Sequence, residues 1–179
     1  KGSSVRLTSK EETDLTLSIQ NRSGEPDTGL VRFPGDFVNL PAGEAFIAPV
    51  EDETNGTIVF DGAVANIELG KPIVIQVKNG RITNISGGKA AKQFEKNVIA
   101  AGFNARVVCE LGIGTNPKAI LSPEILEAEK VRGPCPIAFG KHDTFGGVND
   151  APFHADGLIK GPTLRIDDII ILDNGVLRI

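Results

Sequence analysis

The chain has 179 residues, of which 40% are apolar, and a formal net charge of −4 at pH 7. That size and apolar content are enough for one substantial hydrophobic core. The acidic balance, with no long basic cluster, argues against a nucleic-acid partner, and no apolar run approaches the roughly 18 residues of a membrane span. Because the N-terminus also lacks a signal-peptide pattern, we expect a cytoplasmic protein that binds neither nucleic acid nor membrane.

β-Strands account for most of the recognisable patterns along the chain. Alternating apolar and polar residues predict a half-buried strand, and short apolar runs predict buried ones. These segments are residues 13–20, 57–60, 72–77 and 81–85. Asn79-Gly80 favours a type I′ turn, so the last two segments are predicted to form a hairpin. A second hairpin is predicted from residues 163–172, the turn 173–175 and residues 176–179.

Two helices are predicted between the strands. Residues 89–101 place their apolar side chains on one stripe, and Gly102 follows as a natural stop. A shorter helix is predicted to begin at Ser122-Pro123-Glu124, with an N-cap, a first-turn proline and an acidic residue, and to run toward Lys130. The polar stretch 21–34 is either a loop or a wide hairpin connection.

The order of these elements predicts the fold class. Strands do not alternate regularly with helices, which argues against a parallel doubly wound sheet. We therefore predict an α+β fold, mostly antiparallel β-sheet with two helices, as one domain over residues 1–179.

The string Phe153-His154-Ala155-Asp156-Gly157 carries the strongest chemical signal. In an extended segment, residues i and i+2 point to the same side, so His154 and Asp156 would project together. An imidazole and a carboxylate on one strand face can serve as two ligands of a divalent metal ion. The alternative is an ordinary surface contact between a histidine and an aspartate at a strand end.

Two glutamates far upstream are flanked by apolar residues. Glu44 lies between two prolines, and Glu110 interrupts the apolar pattern of a buried strand. A carboxylate in such a strand needs a cation, a hydrogen bond or a metal ion. Arg106 or Lys130 would neutralise Glu110 in a structural ion pair, whereas a bound metal would make Glu110 a site residue.

The two cysteines, Cys109 and Cys135, are too few and too far apart for a zinc knuckle. Each lies in or beside an apolar run. We expect buried free thiols, with one disulfide as the alternative.

Five short strings in a fixed order resemble the catalytic domain of the thermophilic metalloaminopeptidases (aminopeptidase S and T type, leucyl aminopeptidase-like). They are Pro41-Ala42-Gly43-Glu44-Ala45-Phe46 within residues 39–49, Glu110-Leu111-Gly112-Ile113-Gly114 within 110–117, Glu129-Lys130 within 129–133, Ile137-Ala138-Phe139-Gly140 followed by Gly146-Gly147, and His154-Ala155-Asp156. The chain is similar also to relatives of that family that include an iron-dependent dihydroxypyridine ring-cleaving dioxygenase. The resemblance covers nearly the whole chain, and the N-terminal α/β domain of the family has no counterpart in it.

The resemblance implies a set of site residues, a cofactor and an assembly. By motif, Glu44, His154 and Asp156 would be metal ligands, and Glu110 would be a ligand or the base that activates water. The implied cofactor is one or two divalent ions: Zn, Co or Mn for a hydrolase, and Fe for an oxidative enzyme. Relatives form dimers, which implies a homodimer.

Three positions depart from the family pattern. Cys135-Pro136 stands where the family has a histidine ligand, and Ala128 replaces the aspartate of its Asp-Glu-Lys string. The aminopeptidases also rely on a tyrosine, and this chain contains none. His142 is close in sequence to the vacated position, which makes it a candidate substitute ligand, as is Cys135. The alternative is that His142 is an exposed loop histidine without a role.

Three functions follow from these observations. The first is a metal-dependent hydrolase, an aminopeptidase that releases N-terminal residues from small peptides through metal-activated water. The second is a non-haem iron dioxygenase-like enzyme for a small-molecule substrate, with His154, Asp156 and a further imidazole such as His142 as ligands. The third is a non-catalytic descendant with a degraded metal site. The sequence places the aminopeptidase first.

Overall fold

The computed structural model describes residues 2–178, which form two antiparallel sheets. The larger one, sheet A, has eight strands in the spatial order β13-β12-β11-β1-β2-β5-β6-β7. Their bounds are β1 Ser4–Thr8, β2 Asp14–Ser18, β5 Asn55–Phe60, β6 Ile73–Lys78, β7 Arg81–Gly87, β11 Thr163–Ile166, β12 Ile169–Asp173 and β13 Val176–Leu177.

The smaller one, sheet B, has five strands in the spatial order β10-β9-β8-β4-β3. Their bounds are β3 Glu25–Asp27, β4 Glu44–Ile47, β8 Val108–Gly114, β9 Cys135–Gly140 and β10 His154–Ile159. Helix α1 spans Lys89–Ala101, a 3-10 turn follows at Phe103–Arg106, and α2 spans Ile125–Ala128. The predicted α+β class, mostly antiparallel sheet with two helices, is confirmed. In the described part of the chain, no helix is long and apolar enough to cross a membrane.

Most predicted elements lie where the sequence places them. Helix α1 has the predicted bounds, because its apolar stripe packs into the core and Gly102 ends it with φ +93°. Asn79 and Gly80 adopt φ +50° and +70°, as the predicted type I′ hairpin requires. The polar stretch 21–34 contains one short strand, β3, at the edge of sheet B.

Two predicted elements differ from the structure. The single strand predicted over 163–172 is broken into β11 and β12, because Asp167 adopts φ +50° and the chain turns there. The second helix is one turn long and begins after Glu124. The Ser122 hydroxyl accepts a hydrogen bond from the Glu124 backbone N–H, so Ser122 closes a local turn ahead of the helix.

Three phenylalanine rings join the two sheets and α1. Phe60 of β5, Phe94 of α1 and Phe139 of β9 are almost fully buried. Each pair of these rings meets edge to face, with centroids 6.0 to 6.2 Å apart. Aromatic pairs in this geometry add stabilisation beyond the burial of their area. Sheet B is therefore held against sheet A through β9, which also borders the site described below.

The hairpin tip at Gly80 gives a test of the packing of sheet A. A Cβ on Gly80 would lie 1.4 Å from the carbonyl oxygen of Glu51. We expect Gly80→Ala to lower the free energy of unfolding by about 3 kcal/mol, because the new methyl meets backbone and the positive φ disfavours it. Urea unfolding measures the loss. Gly70→Ala is the control, since nothing lies within 4 Å of its added Cβ. Equal losses in both variants would contradict this account.

Candidate metal centre

Three side chains from two strands of sheet B converge on one small space. Glu110, His154 and Asp156 each offer one ligand atom, and these atoms lie within 4.8 Å of one another. His154 Nε2 is 3.5 Å from Glu110 Oε2 and 3.5 Å from Asp156 Oδ1. One imidazole nitrogen and two carboxylate oxygens around a shared point form a donor set for a first-row divalent metal.

Strand register brings the two carboxylates together. Asp156 on β10 and Glu110 on β8 both pair with Ala138 on β9, which lies between them. Residues paired across neighbouring strands project from the same face of the sheet. The small side chain of Ala138 leaves the space above β9 open, so the carboxylates can approach each other across it. His154 joins them because it precedes Asp156 by two residues and pairs with Gly140.

A β-bulge at Cys109 decides which way Glu110 points. Val108 pairs with Phe139, but Glu110 pairs with Ala138, so Cys109 is an extra residue in β8. In a regular ladder Cys109 would pair with Ala138, and Glu110 would face the core. The bulge turns Glu110 to the same face as Asp156, a re-aiming that bulges beside functional sites commonly perform.

The orientation of the His154 ring is set by its other nitrogen. Nδ1 lies 3.0 Å from the carbonyl oxygen of Lys141 and 3.7 Å from Cys109 Sγ. A carbonyl can only accept, so Nδ1 carries the proton and donates it. In the neutral imidazole, Nε2 then has the lone pair, and this nitrogen faces Glu110 and Asp156. Metal-binding histidines are typically oriented by such a second hydrogen bond.

The protonation of Glu110 and His154 depends on burial and on the charged groups that surround them. Burial raises the pKa of Glu110 well above its usual value, and the nearby carboxylates of Asp156 and Glu44 raise it further. Burial opposes the charged form of His154, but its contacts with Asp156 and Cys109 outweigh burial and raise the pKa of the imidazole. Without a metal, these groups retain protons that a divalent cation would displace.

Glu44 lines the same cavity but belongs to a second cluster. Lys130 Nζ lies 2.6 Å from Glu44 Oε2, 2.7 Å from Glu129 Oε1 and 3.1 Å from Asp27 Oδ2. The structure therefore brings Glu110, His154 and Asp156 together in one cluster. Glu44 instead forms an ion pair with Lys130 through one of its oxygens. The alternative, an ion pair of Glu110 with Arg106 or Lys130, is wrong. Lys130 contacts other carboxylates, and Arg106 lines a different cavity.

One ammonium cannot neutralise three buried carboxylates. Burial raises the pKa of Glu44 to about 8, although Lys130 opposes the shift. Burial, followed by the charge of Asp156, raises the pKa of Glu129 to about 7. Burial disfavours the charge of Lys130, but its contacts with Glu44 and Glu129 outweigh burial and raise its pKa. The lysine stays charged, and Glu44 and Glu129 retain protons near neutral pH.

His142 lies outside the metal centre. The expectation of an exposed loop histidine is wrong, because His142 is fully buried. Its Nδ1 accepts a hydrogen bond from the Asn149 N–H, and its Nε2 is 3.3 Å from Glu51 Oε1. Burial lowers the pKa of His142. As a substitute ligand it is misplaced, since these contacts direct it toward Glu51 and it is not part of the three-ligand group.

The cysteines are buried free thiols, as predicted. Cys135 donates its S–H toward the Gly112 carbonyl oxygen at 3.1 Å and contributes no ligand to the three-residue group. Pro136 follows it on the same face of β9 as Ala138, where its ring approaches Gly112. The position that holds a histidine in the resembling family therefore carries no ligand atom.

The cavity has a volume of about 790 Å³, and one of its walls is aromatic. The sequence patterns did not predict this wall. The Phe145 ring meets Phe46 edge to face at 5.4 Å and His154 at 6.4 Å. Phe46 belongs to the same string as Glu44 and follows it by two residues on β4. The two side chains therefore lie on the same face of the strand, and this spacing could have identified Phe46. Phe145 lies in a Gly-rich loop without periodicity, and no local signal indicates its position.

An imidazole and two carboxylates that converge in a cavity of an antiparallel sheet form a possible metal site. The family model described as "NicX: 2,5-dihydroxypyridine 5,6-dioxygenase" matches residues 1–179, and the chain belongs to this family. A curated relative, the 2,5-dihydroxypyridine 5,6-dioxygenase of Pseudomonas putida KT2440, is 24% identical over 182 residues. That match covers 92% of this chain and 51% of the relative.

Two solved structures share the fold. The 2,5-dihydroxypyridine dioxygenase from Pseudomonas putida KT2440 superposes with a TM-score of 0.90 at 21% identity, over 99% of this chain and 55% of that one. AmpT from Thermus thermophilus superposes with a TM-score of 0.75 at 16% identity, over 99% of this chain and 50% of that one. The chain thus spans about half the length of these relatives. The predicted resemblance is confirmed, and the family match favours the dioxygenase alternative over the aminopeptidase.

The carboxylates around Lys130 predict a pH dependence of stability. Glu44 and Glu129 have folded pKa values of about 8 and 7, above their usual value of 4.5. The folded state therefore binds more protons than the unfolded state between about pH 5 and 8, and stability falls as pH rises through this window.

We expect urea unfolding of the metal-free protein to show a loss of a few kcal/mol between pH 5 and 8, since one pKa unit is worth about 1.4 kcal/mol. Glu44→Gln should flatten this profile, because the amide does not titrate. The exposed Glu68→Gln should leave it unchanged. A wild-type profile that is flat or rises over the same range would contradict the raised pKa values of these carboxylates.

Proposed function

We propose that this chain forms the iron-binding half of a non-haem dioxygenase that opens a dihydroxylated nitrogen heteroaromatic ring. The observation that carries the proposal is the Glu110, His154 and Asp156 cluster in a chain whose whole length matches the dioxygenase family. The chain spans about half the length of these relatives.

The donor set fits an iron(II) ion. Oxygen-rich sites with one imidazole suit first-row divalent metals such as Fe and Mn, whereas tetrahedral zinc sites favour nitrogen and sulfur. Glu110 stands where the expected second imidazole would bind, so the set has one histidine and two carboxylates. Bound iron would supply the one-electron chemistry with dioxygen that side chains cannot perform.

Lys130 favours a centre with one metal over one with two. A second cation at Glu44 would be repelled by the Lys130 ammonium, whose Nζ lies 2.6 Å from Glu44 Oε2, unless it displaced that ammonium. Displacing a buried ammonium from its carboxylates is costly. Pro136 adds no ligand atom on this side of the cavity. A hydrolase that polarises its substrate between two metals is therefore less well supported than a mononuclear oxidative enzyme.

The cavity suits a flat ring with ionisable hydroxyl groups. Phe46 and Phe145 form an edge-to-face corner against which a planar ring can pack. Glu129 lines the same cavity, and its pKa of about 7 lets it take a proton from a ring hydroxyl and return it near neutral pH. His154 holds its orientation through Lys141 while the ring binds.

Metal stoichiometry tests the ligand assignment. We expect one Fe(II) per chain, measured by anaerobic titration and elemental analysis after gel filtration. His154→Ala should weaken binding about 100-fold, because it removes the one imidazole and disturbs the carboxylates that it orders.

His142→Gln is the matched control, since it removes the only other histidine and leaves the three ligands in place. It should retain one iron per folded chain. Retention of metal by His154→Ala, or its loss from a folded His142→Gln protein, would show that the ligands are assigned incorrectly.

Oxygen uptake tests the reaction. The iron-loaded chain, supplied with 2,5-dihydroxypyridine in air, is expected to consume one O₂ per ring lost, measured with an oxygen electrode and by the ring absorbance. Glu110→Gln should remove this activity by weakening iron binding. Release of amino acids from short peptides with Co or Mn, without oxygen uptake, would instead support the aminopeptidase.

A further inference from the structure

A second cavity lies on sheet A and shares no residue with the metal cavity. It has a volume of about 840 Å³ and is enclosed by the tip of the β6–β7 hairpin and the turn after α1. Its lining combines cationic, polar and apolar side chains. The residues used below are Lys78, Arg81, Ile99, Phe103, Arg106 and Asp52.

Positive charge is concentrated in this cavity, although the protein as a whole is acidic. Lys78, Arg81 and Arg106 line it, and Asp52 is the one acidic residue among the lining residues. In the described part of the chain, none of the three cations has a carboxylate within 4.0 Å. The C-terminal end of α1 adds only about half a negative charge. The cavity lining therefore has three cationic side chains and one carboxylate, an excess of positive charge.

One guanidinium nitrogen in this cavity lacks an acceptor. Arg81 Nη1 is buried and has no hydrogen-bond partner among the described residues. The guanidinium is held in place because its carbon lies 4.5 Å from the centre of the Phe103 ring. Nη1 itself is out of reach of a ligand, so a bound acceptor would contact the other N–H groups of the guanidinium. Carboxylate oxygens match the planar guanidinium best.

The same cavity also exposes apolar surface. Phe103 is 69% exposed and Ile99 is 60% exposed, although both are large apolar side chains. Beside them, the hairpin tip is fixed, because Gly80 packs directly on the Glu51 backbone. The site is therefore preformed, with a cationic side and an apolar side.

We propose that this cavity binds a small organic anion, a carboxylate on an apolar or aromatic body. The carboxylate accepts hydrogen bonds from Arg81 and Arg106 with Lys78 nearby, and the body packs on Phe103 and Ile99. This site is separate from the proposed catalytic function and does not depend on it.

The test is a titration of the full chain with benzoate, followed by amide NMR shifts and by calorimetry. We expect saturable binding with shifts centred on the β6–β7 tip and residues 99–106. Benzamide, which lacks the charge, and acetate, which lacks the ring, should both bind more weakly. The double variant Arg81→Gln with Arg106→Gln should weaken benzoate binding by about tenfold per guanidinium, the loss of one charge-assisted hydrogen bond each.

Arg165→Gln is the matched control, because Arg165 is exposed on β11 at the far side of sheet A. It should bind benzoate as the wild type does, and circular dichroism should show that the double variant is folded. No saturable binding, equal affinity for benzoate and benzamide, or unchanged affinity in the folded double variant would overturn the proposal. Tighter binding of inorganic phosphate than of benzoate would overturn the assignment of a carboxylate with an apolar body.

Discussion

An imbalance of charge governs the main cavity of this protein. Five carboxylates lie in its interior, and they share one lysine ammonium and one imidazole: the lining includes Asp27, Glu44, Glu110, Glu129 and Asp156 with Lys130 and His154. Because buried carboxylates repel one another in a medium of low polarity, they must bind protons or a cation. The raised pKa values, the buried lysine and the affinity for a divalent metal that we propose all follow from this requirement.

The cavity meets the requirement differently on its two sides. On one side, the Lys130 ammonium contacts Glu44 and Glu129, whose raised pKa values let them retain protons near neutral pH. On the other side, Glu110 and Asp156 have only His154, whose Nδ1 is already bound to the Lys141 carbonyl. The side with Glu110 and Asp156 can hold a metal ion, whereas the side with Glu44 already contains the Lys130 ammonium. This asymmetry gives a physical reason to favour a mononuclear centre in a fold that is shared with AmpT.

The sequence predicted part of the site for a simple reason of geometry. His154 and Asp156 are two residues apart in a strand, and this spacing alone places them on one face. No such rule applied to Glu110, whose direction depends on the bulge at Cys109. His142 was misjudged because polar and glycine neighbours suggested exposure, whereas its contact with Glu51 comes from a distant part of the chain.

By itself, the sequence determined the local elements and the family to which the chain belongs. Helix α1, the Asn79-Gly80 hairpin and the ordered motif strings depend on residues close together along the chain, where propensity and periodicity act. Only the tertiary structure decided which acids meet at the metal centre and which bind Lys130. Those pairings depend on strand register and on one extra residue in β8, and a shift of one residue reverses the face on which a side chain lies.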